Sequence, residues 1–165
     1  MRTALLTSAL ALLFPAGLSA AEPKPAGALP GPVSYEVRSW GRLILRWQVN
    51  PDGTGEIWKL AEQKDKGTIR KFRLHLAGDG MNAFVTNMED VRAANEKGIR
   101  CDKEIFDLPC GSVTWDYPGA RQTYSFDAGC RSEEADEAGE ILSAASTIIE
   151  TMAKIDADPY VVEPA

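Results

Sequence analysis

Residues 112–126 read SVTWDYPGARQTYSF, and this stretch decides the fold. With Pro118-Gly119 at the centre of a turn, apolar and polar side chains separate onto opposite faces of two paired strands. The apolar face carries Val113, Trp115, Tyr124 and Phe126. On the polar face hydroxyl residues oppose hydroxyl residues, and Asp116 opposes Arg121. Because a slip of one residue would mix the two faces, the sequence predicts a β-hairpin in this register.

Four earlier segments are predicted to be strands, and all but the third alternate apolar and polar residues as half-buried strands do. They are Val33–Arg38, Leu43–Val49, Glu56–Leu60 and Ile69–Leu76, and the second is predicted to point Leu43, Leu45, Trp47 and Val49 to one face. Asn50-Pro51-Asp52-Gly53 between the second and third is a turn sequence, since proline presets φ and glycine accepts a left-handed conformation. The short connections indicate an antiparallel meander.

Two segments change to helical spacing. The first has Asp79 as its expected cap and Gly98 at its end, and the second begins at Ser132, followed by acidic residues that suit the positive end of a helix. The predicted fold is therefore α+β. It has about six antiparallel strands, a four-strand meander plus the hairpin, with two helices packed on one face in the order ββββ-α-ββ-α.

The two ends of the chain differ from this central part. Residues 1–21 have a basic start, an apolar run of about ten residues and small residues before Glu22, which predicts a signal peptide cut after Ala20 or Ala21. Residues 22–32 form a Pro/Gly-rich linker. Residues 33–156 form a single domain, and residues 157–165 form a tail.

The expected location follows from this signal. We expect a periplasmic or secreted protein without membrane insertion after cleavage, because the apolar run is shorter than the roughly 20 residues that span a bilayer. The formal net charge of −6 makes nucleic acid a poor partner. The expected partner is a protein or a component of the cell envelope, and no cofactor is expected because no phosphate-binding or metalloprotease motif occurs.

Three cysteines, Cys101, Cys110 and Cys130, allow three pairings, and export favours a disulfide. If the hairpin pleat continues, Cys130 shares the apolar face of Phe126, whereas Cys110 shares the polar face. Cysteines on opposite faces cannot bring their Cβ atoms close enough to bond. Cys110–Cys130 would need a bulge at Gly129, and Cys101–Cys110 would close a short, constrained loop that contains Pro109 and stays possible. The favoured prediction is a Cys101–Cys130 bridge, with Cys110 as a free thiol that is either reactive or inert.

Two groups of side chains are candidates for a binding surface. Trp40 and Trp58 lie off the buried face if the meander alternates as predicted, although core packing of both is the alternative. A basic cluster could meet an anionic partner or simply be the solvated face of an edge strand. Its members are Arg70, Lys71, Arg73 and His75, together with Lys64 and Lys66.

Several landmarks carry a resemblance. They are Trp40-Gly41, the Asp52-Gly53 turn, Cys101 after a helix, Asp107-Leu108-Pro109 before a strand, and Gly129-Cys130-Arg131 before the last helix. This layout resembles a family of small, uncharacterised exported proteins of Proteobacteria. It is loosely similar to a domain of unknown function with the same Asp-Gly turn and Asp-x-Pro element. The resemblance implies no activity. The related pattern has an aromatic residue where Cys110 stands, which supports Cys110 as the unpaired thiol.

The leading hypothesis is a non-enzymatic exported binding module tied by a disulfide. The first alternative is a small hydrolase or thiol-dependent enzyme that uses Cys110 or His75. The second is a structural envelope protein. No catalytic set is assigned and no metal site is expected, since a single histidine rules out most zinc sites.

Overall fold

A computed structural model of the chain describes residues 28–61 and 67–164. The long strands are β1 (Val33–Ser39), β2 (Arg42–Val49), β3 (Thr54–Leu60), β4 (Thr68–His75), β6 (Cys110–Tyr117) and β7 (Ala120–Asp127). The short strands are β5 (Lys103–Glu104), β8 (Cys130–Arg131), β9 (Lys154–Ile155) and β10 (Val161–Pro164). The helices are α1 (Gly78–Lys97) and α2 (Glu133–Met152).

The strands form one large antiparallel sheet in the order β10-β4-β3-β2-β1-β6-β7, in which β9 also pairs with β4. Strands β5 and β8 form a separate two-stranded sheet. The predicted α+β class and the order ββββ-α-ββ-α are confirmed. The short strands that the sequence did not indicate have two to four residues, too few to show an alternation.

The hairpin has the predicted register at every position, from Tyr117 opposite Ala120 to Ser112 opposite Ser125. The pairing continues from β6 into β1, where Val113 lies opposite Tyr35. One row of paired residues consequently crosses six strands on the face that the helices cover. It consists of Tyr124, Val113, Tyr35, Trp47, Ile57 and Phe72.

Both helices pack against this face. Phe84 and Met88 of α1 and Leu142 and Ile149 of α2 are buried in one cluster with the sheet residues, including Trp47. As predicted, Ser132 caps α2 by accepting a hydrogen bond from the Ala135 amide at 3.1 Å, and Gly98 ends α1. The expected Asp79 cap is wrong. The chain enters α1 at Ala77, so Asp79 already lies in the first helical turn.

A bulge changes the face that Leu43 occupies. Val37 pairs with Leu45, but Arg38 pairs with Leu43, so Ile44 is an extra residue in β2. One extra residue reverses the alternation on that side of the bulge. Leu43 therefore packs on the outer face, the face opposite the helices, in a small cluster with Trp58 and Ile69. The prediction that Leu43 shares a face with Trp47 is wrong for this reason.

Both predicted boundaries of the domain lie inside packed structure. Leu29, in the predicted linker, is 2% exposed and belongs to the main core, and the Pro32 carbonyl accepts a hydrogen bond from the Asp116 amide. The predicted tail includes β10, which pairs with β4. The predicted signal peptide lies outside the described residues. No helix within residues 28–61 and 67–164 combines the length and the apolar character needed to cross a membrane.

Candidate binding groove

The predicted disulfide is present, joining Cys101 to Cys130 with their Cα atoms 5.2 Å apart. The bridge does not form through the continued hairpin pleat from which it was predicted. Strand β7 ends at Asp127, and Cys130 belongs to β8, which pairs with β5 close to Cys101. Gly129 makes this turn possible, because a Cβ at Gly129 would lie 1.8 Å from the Ile105 carbonyl oxygen. The hairpin pleat therefore does not extend to Cys130.

Cys110 is free and exposed at the first position of β6. It lies opposite Arg38 on one side and Asp127 on the other. His75 lies at the far end of β4, opposite Thr54. Three strands separate β6 from β4, which is roughly 19 Å of sheet. Cys110 and His75 therefore do not form one site.

An apolar groove opens between α2 and the sheet. Its floor is formed by Tyr35 and Phe126, whose rings lie 5.6 Å apart and within 12° of parallel. The buried Trp47 continues this stack behind Tyr35, at 5.1 Å and 16°. Val37 and Leu45 extend the floor along the next row of the sheet. We call this feature the aromatic groove. Its volume of about 630 Å³ is in the range of small-molecule and side-chain binding sites.

Small residues of α2 keep the groove open. Gly139, Ser143 and Ser146 line its wall, and a Cβ added at Gly139 would meet nothing within 4 Å. Ser146 also fixes the helix over the floor, because its hydroxyl accepts a hydrogen bond from the Trp47 indole at 3.1 Å. The helix is thus anchored to the sheet at Trp47 and leaves a gap beside it.

Gly111 of β6 shapes the floor from below. A Cβ there would lie 2.7 Å from Cζ of Phe126 and 2.1 Å from the Glu36 carbonyl oxygen. Gly111 pairs directly with Phe126 across the hairpin. Without a side chain at Gly111, the Phe126 ring can lie across the strand and stack on Tyr35.

The rim of the groove is acidic. Arg131 pairs with Asp136 at 3.0 Å, and Asp127 and Glu140 add two further carboxylates. Asp127 also accepts a hydrogen bond from the Gly129 amide at 2.7 Å. Burial raises the pKa of the Tyr35 phenol above its ordinary value. The groove therefore joins an aromatic floor to a rim that attracts cations.

The two tryptophans of the predicted surface have different environments. Trp58 is 9% exposed, because the Arg46 guanidinium lies 4.0 Å above its ring and the Lys71 ammonium lies 5.7 Å from it. Trp40, in the turn between β1 and β2, is 78% exposed. The structure therefore leaves Trp40 open and covers Trp58.

The predicted basic cluster is divided between the two faces of the sheet. Arg70 pairs with Lys59 on the helix-covered face, where Lys59 forms an ion pair with Glu150 of α2 at 2.7 Å. Lys71, Arg73 and His75 alternate onto the outer face, and Lys71 is paired with Glu163 of β10. Lys64 and Lys66 lie outside the described residues. The cluster does not form one continuous cationic surface.

A second apolar feature lies at the end of the sheet where β1 ends and β6 begins. Phe106 is 79% exposed, and Ile105 and Leu108 of the same loop are also exposed. Trp40 projects from the same end, because Arg38 pairs with Cys110 and the two chains leave the sheet together there. These side chains flank the end of the sheet that Phe126 and Asp127 occupy.

The sequence placed Phe126 on the apolar face of the hairpin but did not predict a groove between that face and α2. The small residues Gly139, Ser143 and Ser146 beside the apolar stripe of α2 are the signal that could have indicated a gap. Across residues 28–61 and 67–164, no cluster of three or more His, Cys, Asp or Glu side chains could hold a metal ion.

Comparison with known proteins adds no assignment, because no family model, curated protein or solved structure matches the chain significantly.

Proposed function

We propose that the chain is a non-enzymatic binding module that acts after export, in the periplasm or outside the cell. Its aromatic groove accepts an apolar or ring-bearing group of a protein or of another envelope component. The observation that carries this proposal is the stacked floor of Tyr35 and Phe126, backed by Trp47, beneath a helix wall of small residues. Aromatic surface left open beside a packed core is typical of a binding site.

The charge of the rim defines the partner further. Asp127 and Glu140 lie beside the floor, and the flat faces of aromatic rings attract cations. We therefore favour a ligand group that carries positive charge next to its apolar part, such as a lysine or arginine beside an aliphatic or aromatic side chain. A neutral apolar group would still use the floor.

The separation of the reactive side chains supports a non-enzymatic role. An enzyme that uses Cys110 would need a base near it, and His75 lies at the opposite end of a distant strand. Cys110 is also outside the lining of the aromatic groove. A purely structural envelope protein would have no need to leave this groove unfilled.

Export is proposed from the sequence signal, and the disulfide is compatible with it. The bridge joins the loop after α1 to β8, just before α2, through Cys101 and Cys130. Disulfides of this kind persist in oxidising compartments such as the bacterial periplasm. Expression with the signal peptide, followed by fractionation and N-terminal sequencing, tests both the location and the cut after Ala20 or Ala21.

A groove-filling variant tests the proposed site directly. Gly139→Leu should project a side chain into the groove, whereas Ala144→Leu adds the same group at an exposed position of α2 that does not line it. With Nile red as a neutral apolar probe, the unmodified chain and Ala144→Leu should bind it and Gly139→Leu should not. Equal binding by all three chains would contradict the proposal.

The partner itself can be sought with the same helix. A photo-crosslinking amino acid at Ser143 lies in the groove wall, and one at Ala144 does not. After irradiation in envelope fractions, a specific partner should be cross-linked from Ser143 and lost when Gly139→Leu is added. Products that are identical from Ser143 and Ala144 would show only random contact and would count against the groove.

A further inference from the structure

The two edges of the large sheet are built differently. On one side the outer edge of β4 is covered by β9 and β10, and β10 ends in Pro164. On the other side β7 is the last strand, eight residues long. Within residues 28–61 and 67–164, no strand pairs with the outer side of β7. A long uncovered edge presents unpaired amides and carbonyls to another chain.

The flanking hydrogen bonds show which residues of β7 present these groups. The Asp116 amide donates a hydrogen bond to the Pro32 carbonyl on the β1 side of β6. Because backbone groups of successive residues in a strand point to opposite sides, the residues of β6 that alternate with Asp116 bond to β7. Just after the end of β7, the Ala128 amide donates a hydrogen bond to the Pro109 carbonyl, on the side of the chain that faces β6. The residues of β7 that alternate with Ala128 therefore direct their amides and carbonyls outward. They are Arg121, Thr123, Ser125 and Asp127.

The side chains of these four residues are complementary to the same four side chains in reverse order. All four are exposed, and they place one cation near the start of the strand and one carboxylate at its end. Strand β7 contains no proline, and its register with β6 is unbroken from Ala120 to Asp127. Proline and bulges are the features that usually keep an edge from pairing.

We propose that a second copy of this chain pairs with β7, antiparallel to it, and continues the sheet across a two-fold axis. Arg121 then lies opposite Asp127 of the partner subunit, and Thr123 lies opposite Ser125 of the partner subunit. Both pairs occur twice because an isologous interface repeats each contact. The outward backbone groups of all four residues find partners in this register.

The charges select this register from its neighbours. Backbone bonding allows only pairs among the outward-directed residues, so alternative registers differ by two residues. A shift by two in one direction sets Arg121 opposite Ser125 of the partner subunit, and a shift in the other direction sets Asp127 opposite Thr123 of the partner subunit. Both alternatives lose the two opposite-charge pairs, which stabilise cross-strand contacts.

The dimer would also extend the aromatic groove. In the proposed register Phe126 lies opposite Gln122 of the partner subunit on the helix-covered face. Tyr124 lies opposite its own copy at the two-fold axis. The open side of the groove floor thus gains polar side-chain atoms from the partner subunit. The pairing of the two edge strands does not itself depend on the proposed function.

Charge reversal tests the register. Arg121→Glu places two carboxylates opposite each other twice per dimer, and Asp127→Lys does the same with two cations. Each variant alone should raise the dimer dissociation constant about tenfold or more, as measured by sedimentation equilibrium of the chain without its predicted signal peptide. An equimolar mixture of the two variants should restore the dimer. In the mixed dimer the introduced glutamate of one variant meets the introduced lysine of the other, and the remaining Arg121 and Asp127 meet each other.

A backbone test does not depend on charge. Ser125→Pro removes an outward amide while leaving the ladder to β6 intact, whereas Ser125→Ala keeps the amide. The proline variant should be monomeric and the alanine variant dimeric, with circular dichroism confirming that both fold. A wild-type chain that stays monomeric at every soluble concentration would overturn the proposal, as would a dimer unaffected by Ser125→Pro and by Arg121→Glu.

Discussion

The ring of Tyr35 lies between those of Trp47 and Phe126, 5.6 Å from the latter and nearly parallel to it. Phe126 reaches this position from the edge strand only because Gly111 beneath it has no side chain. A stack of this kind contributes about 0.5–1.5 kcal/mol for each pair beyond the burial of area. The contact links the edge strand to the central sheet and forms the floor of the aromatic groove.

Gly111→Ala should therefore destabilise the protein. The new methyl group would meet both Phe126 and the Glu36 carbonyl oxygen closer than carbon atoms tolerate. We expect a loss of about 2 kcal/mol in the free energy of unfolding, as for other overpacked sites. Gly139→Ala is the matched control, since nothing lies within 4 Å of its Cβ, and it should gain about 0.5–1 kcal/mol from helix propensity. Urea denaturation of both variants measures the difference, and equal midpoints would contradict it.

Removing the bridge should destabilise the small β5–β8 sheet. Cys101→Ala with Cys130→Ala should lower the free energy of unfolding by about 2–4 kcal/mol, because the unfolded chain loses the constraint of a closed loop. Cys110→Ser should change it little, since this thiol is exposed. Alkylation of the unreduced native chain, followed by mass spectrometry, should modify Cys110 alone. Modification of Cys101 or Cys130 would exclude the bridge.

Ionisation of Tyr117 should weaken the fold at alkaline pH. Its hydroxyl donates a hydrogen bond to the Glu89 carboxylate at 2.6 Å. Burial, as the larger cause, and this hydrogen bond, as the second, raise the pKa of Tyr117 well above its ordinary value. The folded chain therefore holds this proton more tightly than the unfolded chain. The resulting stabilisation is complete below a pH of about 10 and is lost as pH rises through the pKa of the folded state.

Tyr117→Phe isolates this effect. The variant should be less stable at neutral pH by about 1 kcal/mol, because the hydrogen bond to Glu89 is lost. Between about pH 9 and pH 12, a range that brackets the usual tyrosine pKa, the free energy of unfolding should fall less steeply with pH for the variant than for the unmodified chain. Urea denaturation across this range gives both slopes. Parallel slopes would show that Tyr117 does not contribute to the alkaline transition.

The two tryptophans of the predicted surface should respond differently to truncation. Trp58→Ala removes a buried ring from the cluster with Leu43 and Ile69, and we expect it to cost about 3 kcal/mol. Trp40→Ala should leave the free energy of unfolding almost unchanged, because this side chain is largely exposed. Thermal denaturation of the two variants separates a structural tryptophan from an accessible one, and similar shifts would contradict the assigned environments.

The features that could be predicted from the sequence are those that depend on residues directly opposite each other on paired strands. The register of β6 and β7 follows from complementary residues on facing strands, and the structure matches it from Tyr117 to Ser112. The position of Leu43 could not be read in the same way, because the bulge at Ile44 reverses the alternation without a sequence signal such as glycine. The Cys101–Cys130 pair was predicted correctly although the pleat that suggested it ends at Asp127.

The groove depends on a different level of organisation. Its volume is set by the distance between α2 and the sheet, which the Trp47–Ser146 hydrogen bond and the packing of Leu142 and Ile149 determine together. Periodicity identifies the buried side of a helix but not the space left beside it. A groove lined by residues from four strands and one helix is therefore visible only once the tertiary contacts are known.

The described end of the predicted linker, from Leu29 to Pro32, should prove to be part of the folded domain. Leu29 is buried among the core residues, and the Pro32 carbonyl continues the β1–β6 ladder to Asp116. Leu29→Ala should cost about 2–4 kcal/mol, as for other buried leucines. A chain that starts at Val33 should lose at least as much, because it also lacks the Pro32 carbonyl. If that shortened chain unfolds at the same urea concentration as one that starts at Glu22, then Leu29 contributes nothing and the boundary predicted from proline and glycine content is the right one.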